Sequence, residues 1–356
     1  MSMRITHVIF GFTTGGAELM LADIMAEQAE AGHEVSLVVI NHHYEEALLR
    51  TLHPRVKQVL VDRPEGSRNP WWVLLYNIAL RRTRPDVVHF HQSRGAYITR
   101  AIKGVPFVLT MHDTGIAKPP HPRRIQRVFV ISEAVADDIR RRFKIEPTVV
   151  PNGIACRAIL PKDDNDTPYS TAAGRPLRMI TVARLMHEKK GQDLAIRAVA
   201  DLAARGIPST LDIIGTGKSE AYLRQLAEEC GVADRVHFLG NRTRSEIYST
   251  LHGYDLFLLP SRYEGFGLTV AEAMAAQVPV VVSDIEGPME IIEGGRYGSH
   301  FRSDDHRSLA DTIERVARDY SRFAALARTE AFSHVRSRYD IALTARRYLE
   351  SYPPRG

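Results

Sequence analysis

The chain has 356 residues, more than one hydrophobic core usually supports, so two domains are expected. Hydrophobic residues are 44% and charged residues 25%, the balance of a soluble globular protein; two cysteines, Cys156 and Cys230, exclude a disulfide framework and a thiolate zinc cluster and suit a reducing cytoplasm. The formal net charge of +5 lies entirely within residues 1–155, where 20 Lys+Arg face 15 Asp+Glu, while the remainder balances at 27 against 27.

The first half reads as alternating strands and helices. A strand is expected over 5–10, a glycine-bearing loop over 11–16, an amphipathic helix over 17–31 closed by Gly32, and a second strand over 34–40. Apolar runs at 86–91, 107–112, 127–132 and 148–150 follow. They are continuous rather than alternating, which suggests strands buried on both faces of a parallel sheet. The apolar stretch 71–80 has about half the ~20 residues of a membrane span. It reads as a core helix capped by Arg81 and Arg82, or as an amphipathic face that meets lipid. The other basic clusters, Arg123-Arg124-Ile125-Gln126-Arg127 and Arg140-Arg141-Arg142, suit an anionic partner or solvated helix faces. The N-terminus runs straight into a strand, so no signal peptide is expected.

The polar, turn-rich segment 163–176 reads as a linker or exposed loop, and Asp164-Asn165-Asp166 within it as solvated rather than metal-binding. The pattern then restarts, with strands expected over 177–183, 210–215, 236–240, 256–260 and 278–283. Two successive β/α units argue for an α/β protein with two Rossmann-like parallel-sheet domains facing across a cleft, with chemistry in the loops after the strands.

Three loops of that kind carry suitable residues. Glu264-Gly265-Phe266-Gly267-Leu268 follows one strand and opens a helix expected over 270–276. Its glycines let backbone amides approach a ligand, and the helix start suits a phosphate. Glu264 and Glu272 are eight apart, about two helical turns, and a carboxylate suits sugar hydroxyls or a ribose diol. The same pair also reads as acids in the first turns of a helix. Arg184 and Lys190 follow another strand and are placed to neutralise a diphosphate, or else form a solvated basic loop. Gly15-Gly16 offers amides between the first strand and helix, though without the spacing of a dinucleotide fingerprint. His112, at a strand end, is placed to donate to an oxygen or exchange a proton; His89 and His91 read as structural or acceptor-side residues. Gly215-Thr216-Gly217-Lys218-Ser219 lacks the upstream glycine of a P-loop, and no zinc spacing occurs.

Together these motifs resemble the retaining GT-B glycosyltransferases of family four, the group 1 type. The resemblance covers nearly the whole chain. Glu264 and Glu272 match the paired-glutamate motif, Ala183-Arg184-Leu185 and Glu188-Lys189-Lys190-Gly191 the diphosphate-binding cations, and Thr14-Gly15-Gly16-Ala17-Glu18 the N-terminal glycine loop. Lys189 is the close alternative to Lys190. Val150-Pro151-Asn152-Gly153 resembles the interdomain boundary, and Phe238-Leu239-Gly240 the base-side loop.

What the resemblance implies is specific. Residues 1–155 form the acceptor-side domain, with a C-terminal helix at about 338–356 packing back on it, and 156–337 bind the nucleotide sugar. Glu272 holds the ribose; Glu264 and His112 sit at the donor sugar; Gly265, Phe266, Gly267 and Leu268 give backbone contacts. Leu239 lies at the base, and Arg184 and Lys190 stabilise the departing diphosphate. The reaction is retaining transfer from a nucleotide sugar, UDP-linked by preference, to a glycan or lipid-linked acceptor of bacterial surface polysaccharide synthesis, with no cofactor, metal or nucleic acid. A carboxylate nucleophile at Glu264 is the competing mechanism. A GT-B-shaped epimerase and a non-catalytic nucleotide-sugar-binding subunit are the alternative classes. The expected location is cytoplasmic, peripheral to the inner face of the membrane if the basic domain binds anionic lipid.

Overall fold

The computed structural model describes residues 2–113, 124–163, 169–170 and 174–356. Arg123 and the acidic run Asp164–Asp166 lie outside the described residues. The chain divides into two compact units, one of Met1–Gly153 with Ile341–Gly356 and one of Ile154–Asp340.

The first unit is built on seven parallel strands, β1 (Arg4–Ile9), β2 (Glu34–Asn41), β3 (Lys57–Arg63), β4 (Val87–Phe90), β5 (Phe107–Met111), β6 (Arg127–Val130) and β7 (Thr148–Val149). Their order is β3-β2-β1-β4-β5-β6-β7. The chain winds outward from β1 in one direction and then, from β4, in the other. Loops after β1 and β4 therefore diverge and leave a crevice at the carboxyl ends of these strands. Strands β2, β4 and β5 are buried almost throughout, which is why their sequences are continuous apolar runs. Strand β3, Lys-Gln-Val-Leu-Val-Asp-Arg, is a half-exposed edge whose polar character hides it from a search for apolar runs.

The C-terminal helix Ile341–Ser351 packs on the helix Gly16–Glu30 of this unit. It brings in two tyrosines, Tyr348 and Tyr352, that are buried against Phe129 and His89. The helix Pro70–Arg82 starts on an Asn69 side-chain cap with proline in its first turn. It buries Tyr76, Asn77 and Leu80 but leaves Trp71, Leu74 and Ile78 outside, at 56%, 38% and 39% exposure. At i, i+3 and i+7 these three share one face. The helix is thus not wholly a core element.

The second unit carries six parallel strands, β8 (Leu177–Val182), β9 (Ser209–Ile214), β10 (Val236–Gly240), β11 (Leu256–Leu259), β12 (Val280–Ser283) and β13 (Ser299–Phe301), in the order β10-β9-β8-β11-β12-β13. The reversal point lies between β8 and β11. Its largest core cluster joins Met179, Leu211 and Leu258 on one face of the sheet to Leu194, Ile196 and Ile313 of the helices packed on that face. Strand β13 has three residues, too short for a sequence pattern.

Candidate active site

The loops after β8 and β11, the two that diverge at the reversal point of the second sheet, are locked together. Gly191 ends the Lys190 turn with φ 66, and a Cβ there would sit 1.8 Å from the Pro260 carbonyl oxygen. Only glycine permits that approach. The Lys189 carbonyl accepts from the backbone N–H of Arg262 at 2.9 Å and of Tyr263 at 3.2 Å. The Arg262 guanidinium grips Asp193 with two bonds of 2.8 Å, the His187 carbonyl at 2.7 Å and Asp304 at 2.7 Å. A planar fork meeting a carboxylate in two bonds is geometrically specific as well as strong.

A third loop braces the first two. Gly215 and Gly217, after β9, lie so close to the backbone of the Arg184 loop that a Cβ would come within 2.1 Å of the Ala183 oxygen and 2.3 Å of the Leu185 oxygen. The Leu185 N–H donates to the Thr216 carbonyl at 2.9 Å, and Ser219 Oγ accepts from the His187 N–H at 3.1 Å. The Gly-rich segment therefore shapes the Arg184 turn. On the far side, Gly287 packs against the backbone of Glu264–Phe266, its would-be Cβ 2.8–2.9 Å from those atoms.

This frame presents a definite set of side chains. Lys190 Nζ donates to Glu264 Oε2 at 2.5 Å, both partly buried. Arg184 is exposed, with no side-chain hydrogen bond among the described residues. Gly267, at φ 101, begins the helix Leu268–Ala275 and supplies no side-chain cap; its carbonyl accepts from the Val270 N–H at 2.9 Å, which leaves the N–H groups of Leu268 and Thr269 for an anion. The Phe266 ring is turned into the interior against Tyr339, so this residue offers a ligand only its backbone. Glu272, in the helix, accepts from the Tyr248 hydroxyl at 2.9 Å, and Tyr248 accepts from Arg244 Nε at 2.7 Å. Burial raises the Tyr248 pKa, so the phenol stays protonated and donates. Leu239 is the extra residue of a β-bulge between Phe238 and Gly240, the kind of irregularity that re-aims a side chain at a strand end.

Glu264 and Glu272 are not two turns apart on one helix. Gly267 takes a left-handed conformation between them, so Glu264 belongs to the loop and only Glu272 to the helix. Arg262, Tyr248 and Arg244 escape sequence reasoning altogether. Their partners are remote in sequence, and no spacing rule links Arg262 to Asp193.

In the first unit a cavity of about 560 Å³ opens at the carboxyl ends of β1, β4 and β5, lined by Phe10, Ala17, Glu18, Gln92, His112 and Asp113 among others. Gly15 precedes the helix Gly16–Glu30 whose first turn supplies Ala17 and Glu18. Thr14, next to it, is tied to Glu45 through both its N–H and its hydroxyl. A second cavity of about 470 Å³ shares Phe10, Asn41, Glu65 and Arg94 with the first.

Beneath this floor lie stacked imidazoles. His7 on β1 and His89 on β4 are register partners, and His91 follows β4. His7 Nδ1 is 3.0 Å from His91 Nε2, and His91 Nδ1 is 3.2 Å from His112 Nε2. Burial holds the His7 and His112 pKa values down to about 4 and pushes those of His89 and His91 well below the usual imidazole value. Among the described residues, His7, His89 and His91 are the one group spaced for a metal ion. All six of their ring nitrogens already have hydrogen-bond partners: each other, Gln28, Tyr352, Thr110 and His112. The cluster is thus spent on internal bonding.

Two family models match, Glycosyltransferase Family 4 over residues 14–157 and Glycosyl transferases group 1 over 164–330. Glycogen synthase of Mycobacterium tuberculosis is 31% identical over 264 residues, covering 67% of this chain and 62% of that protein, so the match spans less than two thirds of the relative's length. The crystal structure of Anabaena HepE in complex with UDP and glucose superposes with a TM-score of 0.77 at 22% identity, over 98% of this chain and 99% of that one. WaaG, a glycosyltransferase involved in lipopolysaccharide biosynthesis, does so with a TM-score of 0.72 at 18% identity, over 96% and 98%. With two parallel-sheet units and a family model on each, this chain belongs to the GT-B superfamily of glycosyltransferases.

Proposed function

We propose that the protein transfers a sugar, with retention, from a nucleoside diphosphate donor held by the second unit to an acceptor held by the first. The observation that carries this reading is the Lys190–Glu264 pair at the reversal point of the second sheet, beside the exposed Arg184 and the uncapped start of the helix Leu268–Ala275. Lys190 neutralises Glu264. A diphosphate competes for the lysine and frees Glu264 to accept from sugar hydroxyls. Lys190, Arg184 and the helix start then stabilise the charge that develops on the leaving diphosphate, the role a metal ion plays in other designs. Glu272, oriented by Tyr248, binds the ribose; Leu239 borders the base; Gly265, Phe266, Gly267 and Leu268 contribute backbone. Gly15, Gly16 and His112 serve from the first unit. The acceptor hydroxyl attacks on the face the diphosphate leaves, with Glu264 as an electrostatic and positioning group rather than a nucleophile.

UDP is the proposed nucleotide, supported by the ligand of the HepE structure. A surface glycan on a lipid carrier is the proposed acceptor, supported by the likeness to WaaG and by the exposed Trp71, Leu74 and Ile78, followed by Arg81 and Arg82 on the same helix. None of the described helices is long and apolar enough to cross a membrane. Attachment would therefore be peripheral, through that face and anionic headgroups.

A thermal-shift panel of UDP-, GDP-, ADP- and dTDP-sugars tests the reading. A ligand at 100 times its Kd should stabilise the protein by about 2.7 kcal/mol. Lys190→Ala should cost about 10²–10³ in kcat. No shift with any member of the panel would overturn the proposal, and conversion of the donor alone to a new nucleotide sugar would make the protein an epimerase.

A further inference from the structure

The hydrogen bonds around the first unit's histidines have a direction, and Gln28 sets it. Gln28 is fully buried on the helix Gly16–Glu30. Its Oε1 lies 2.8 Å from His7 Nε2 and its Nε2 3.3 Å from the Tyr352 hydroxyl. An amide oxygen only accepts, so His7 carries its proton on Nε2 and leaves Nδ1 as a lone pair. That lone pair accepts from His91 Nε2, which makes His91 Nδ1 an acceptor in turn. His91 Nδ1 then accepts from His112 Nε2. His112 ends the series with its only proton spent inward and Nδ1 bare. That atom is buried and has no partner among the described residues.

The other arm agrees. The Gln28 amide donates to Tyr352, Tyr352 to His89 Nδ1 at 2.9 Å, His89 Nε2 to Thr110 Oγ1 at 2.7 Å, and Thr110 to Tyr348 at 3.2 Å. Turning the amide over would reverse both arms and strand a buried N–H on His112, and an orphaned buried donor is the rarer and costlier defect. Burial keeps all four rings neutral at pH 7, so each holds one proton and the series is fully determined.

We propose that Gln28 is a positioning residue that fixes the tautomer of His112 through His7 and His91, so that His112 offers a sugar hydroxyl an acceptor and never a donor. The sugar contact rests on the proposed glycosyltransferase reading; the tautomer series does not. A hydroxyl on the donor sugar finds a partner there, whereas a group that only accepts, such as a fluoro or O-methyl replacement, leaves the Nδ1 lone pair unmatched.

The test is the nitrogen spectrum of ¹⁵N-histidine-labelled protein at pH 7, assigned with His7→Gln, His91→Gln and His112→Gln. His112 should show a bare Nδ1 and a protonated Nε2. In Gln28→Met the series loses its anchor; His112 should become a mixture of tautomers, and kcat should fall about 2- to 10-fold while UDP affinity holds. A protonated Nδ1 in the unaltered protein, or a single unchanged tautomer in Gln28→Met, overturns the proposal. Should Gln28→Met fail to fold, the unaltered protein's spectrum decides alone. The two readings fail separately: a wrong tautomer in an active enzyme sinks the histidine series only, and absence of all nucleotide-sugar binding sinks the transferase reading while the spectrum still judges the tautomers.

Discussion

Acidification from pH 7 to pH 5 should weaken the first unit by an amount the histidines fix. His7 and His112 are held to about 4 by burial, against an unfolded value near 6.5. Between those values the unfolded chain binds protons and the folded one does not. Stability is thus fully present above pH 6.5 and is lost as pH falls toward 4. At pH 5 each of the two residues removes about 2 kcal/mol relative to pH 7, about 4 kcal/mol together. His89 and His91, also lowered by burial, act in the same direction. Asp86, held at about 2 chiefly by its hydrogen bond to Arg4, titrates below this window. The chain has two tryptophans, Trp71 and Trp72, both in the first unit, so their fluorescence reports that unit alone. With a urea slope of about 2 kcal/mol/M, the fluorescence midpoint should drop by about 2 M. His112→Gln should recover a share of the loss. A midpoint that moves by less than about 0.5 M would refute the claim that these rings are buried and neutral.

Two other outcomes follow from the side chains described. Tyr248→Phe removes the donor that orients Glu272 and should weaken UDP binding about 3- to 10-fold by calorimetry, with kcat nearly unchanged; equal or tighter binding would detach Glu272 from the nucleotide. Trp71→Ser with Leu74→Ser should abolish co-sedimentation with anionic liposomes at low salt, whereas the unaltered chain binds and is released by high salt; no binding of the unaltered chain at low salt removes the membrane role.

Much of this was legible in the sequence, and the exceptions have physical causes. Strands buried on both faces announced themselves as apolar runs, and the loops after them drew attention to Arg184, Lys190 and Glu264. Edge strand β3 did not, because half of its surface meets water. The helical spacing of Glu264 and Glu272 misled, because Gly267 breaks the helix between them. Arg262 stands two residues before Glu264 and belongs to no sequence motif. Its meaning depends on Asp193 and Asp304, which only the parallel sheet brings near. His7 and Gln28 carried no motif at all. Their importance comes from register, His7 opposite His89, and register is a property of the sheet rather than of either strand.

The Arg262 grip has one more consequence. Within Pro260–Gly267 the residues on either side of Tyr263 are held, Arg262 by two aspartates and a carbonyl and Glu264 by Lys190 and the Gly287 contact. Tyr263 itself stands 69% exposed. The segment is built like a collar with a single replaceable head. A change of side chain at that position leaves every strut in place, so the scaffold tolerates replacement there at little cost to the frame that displays it.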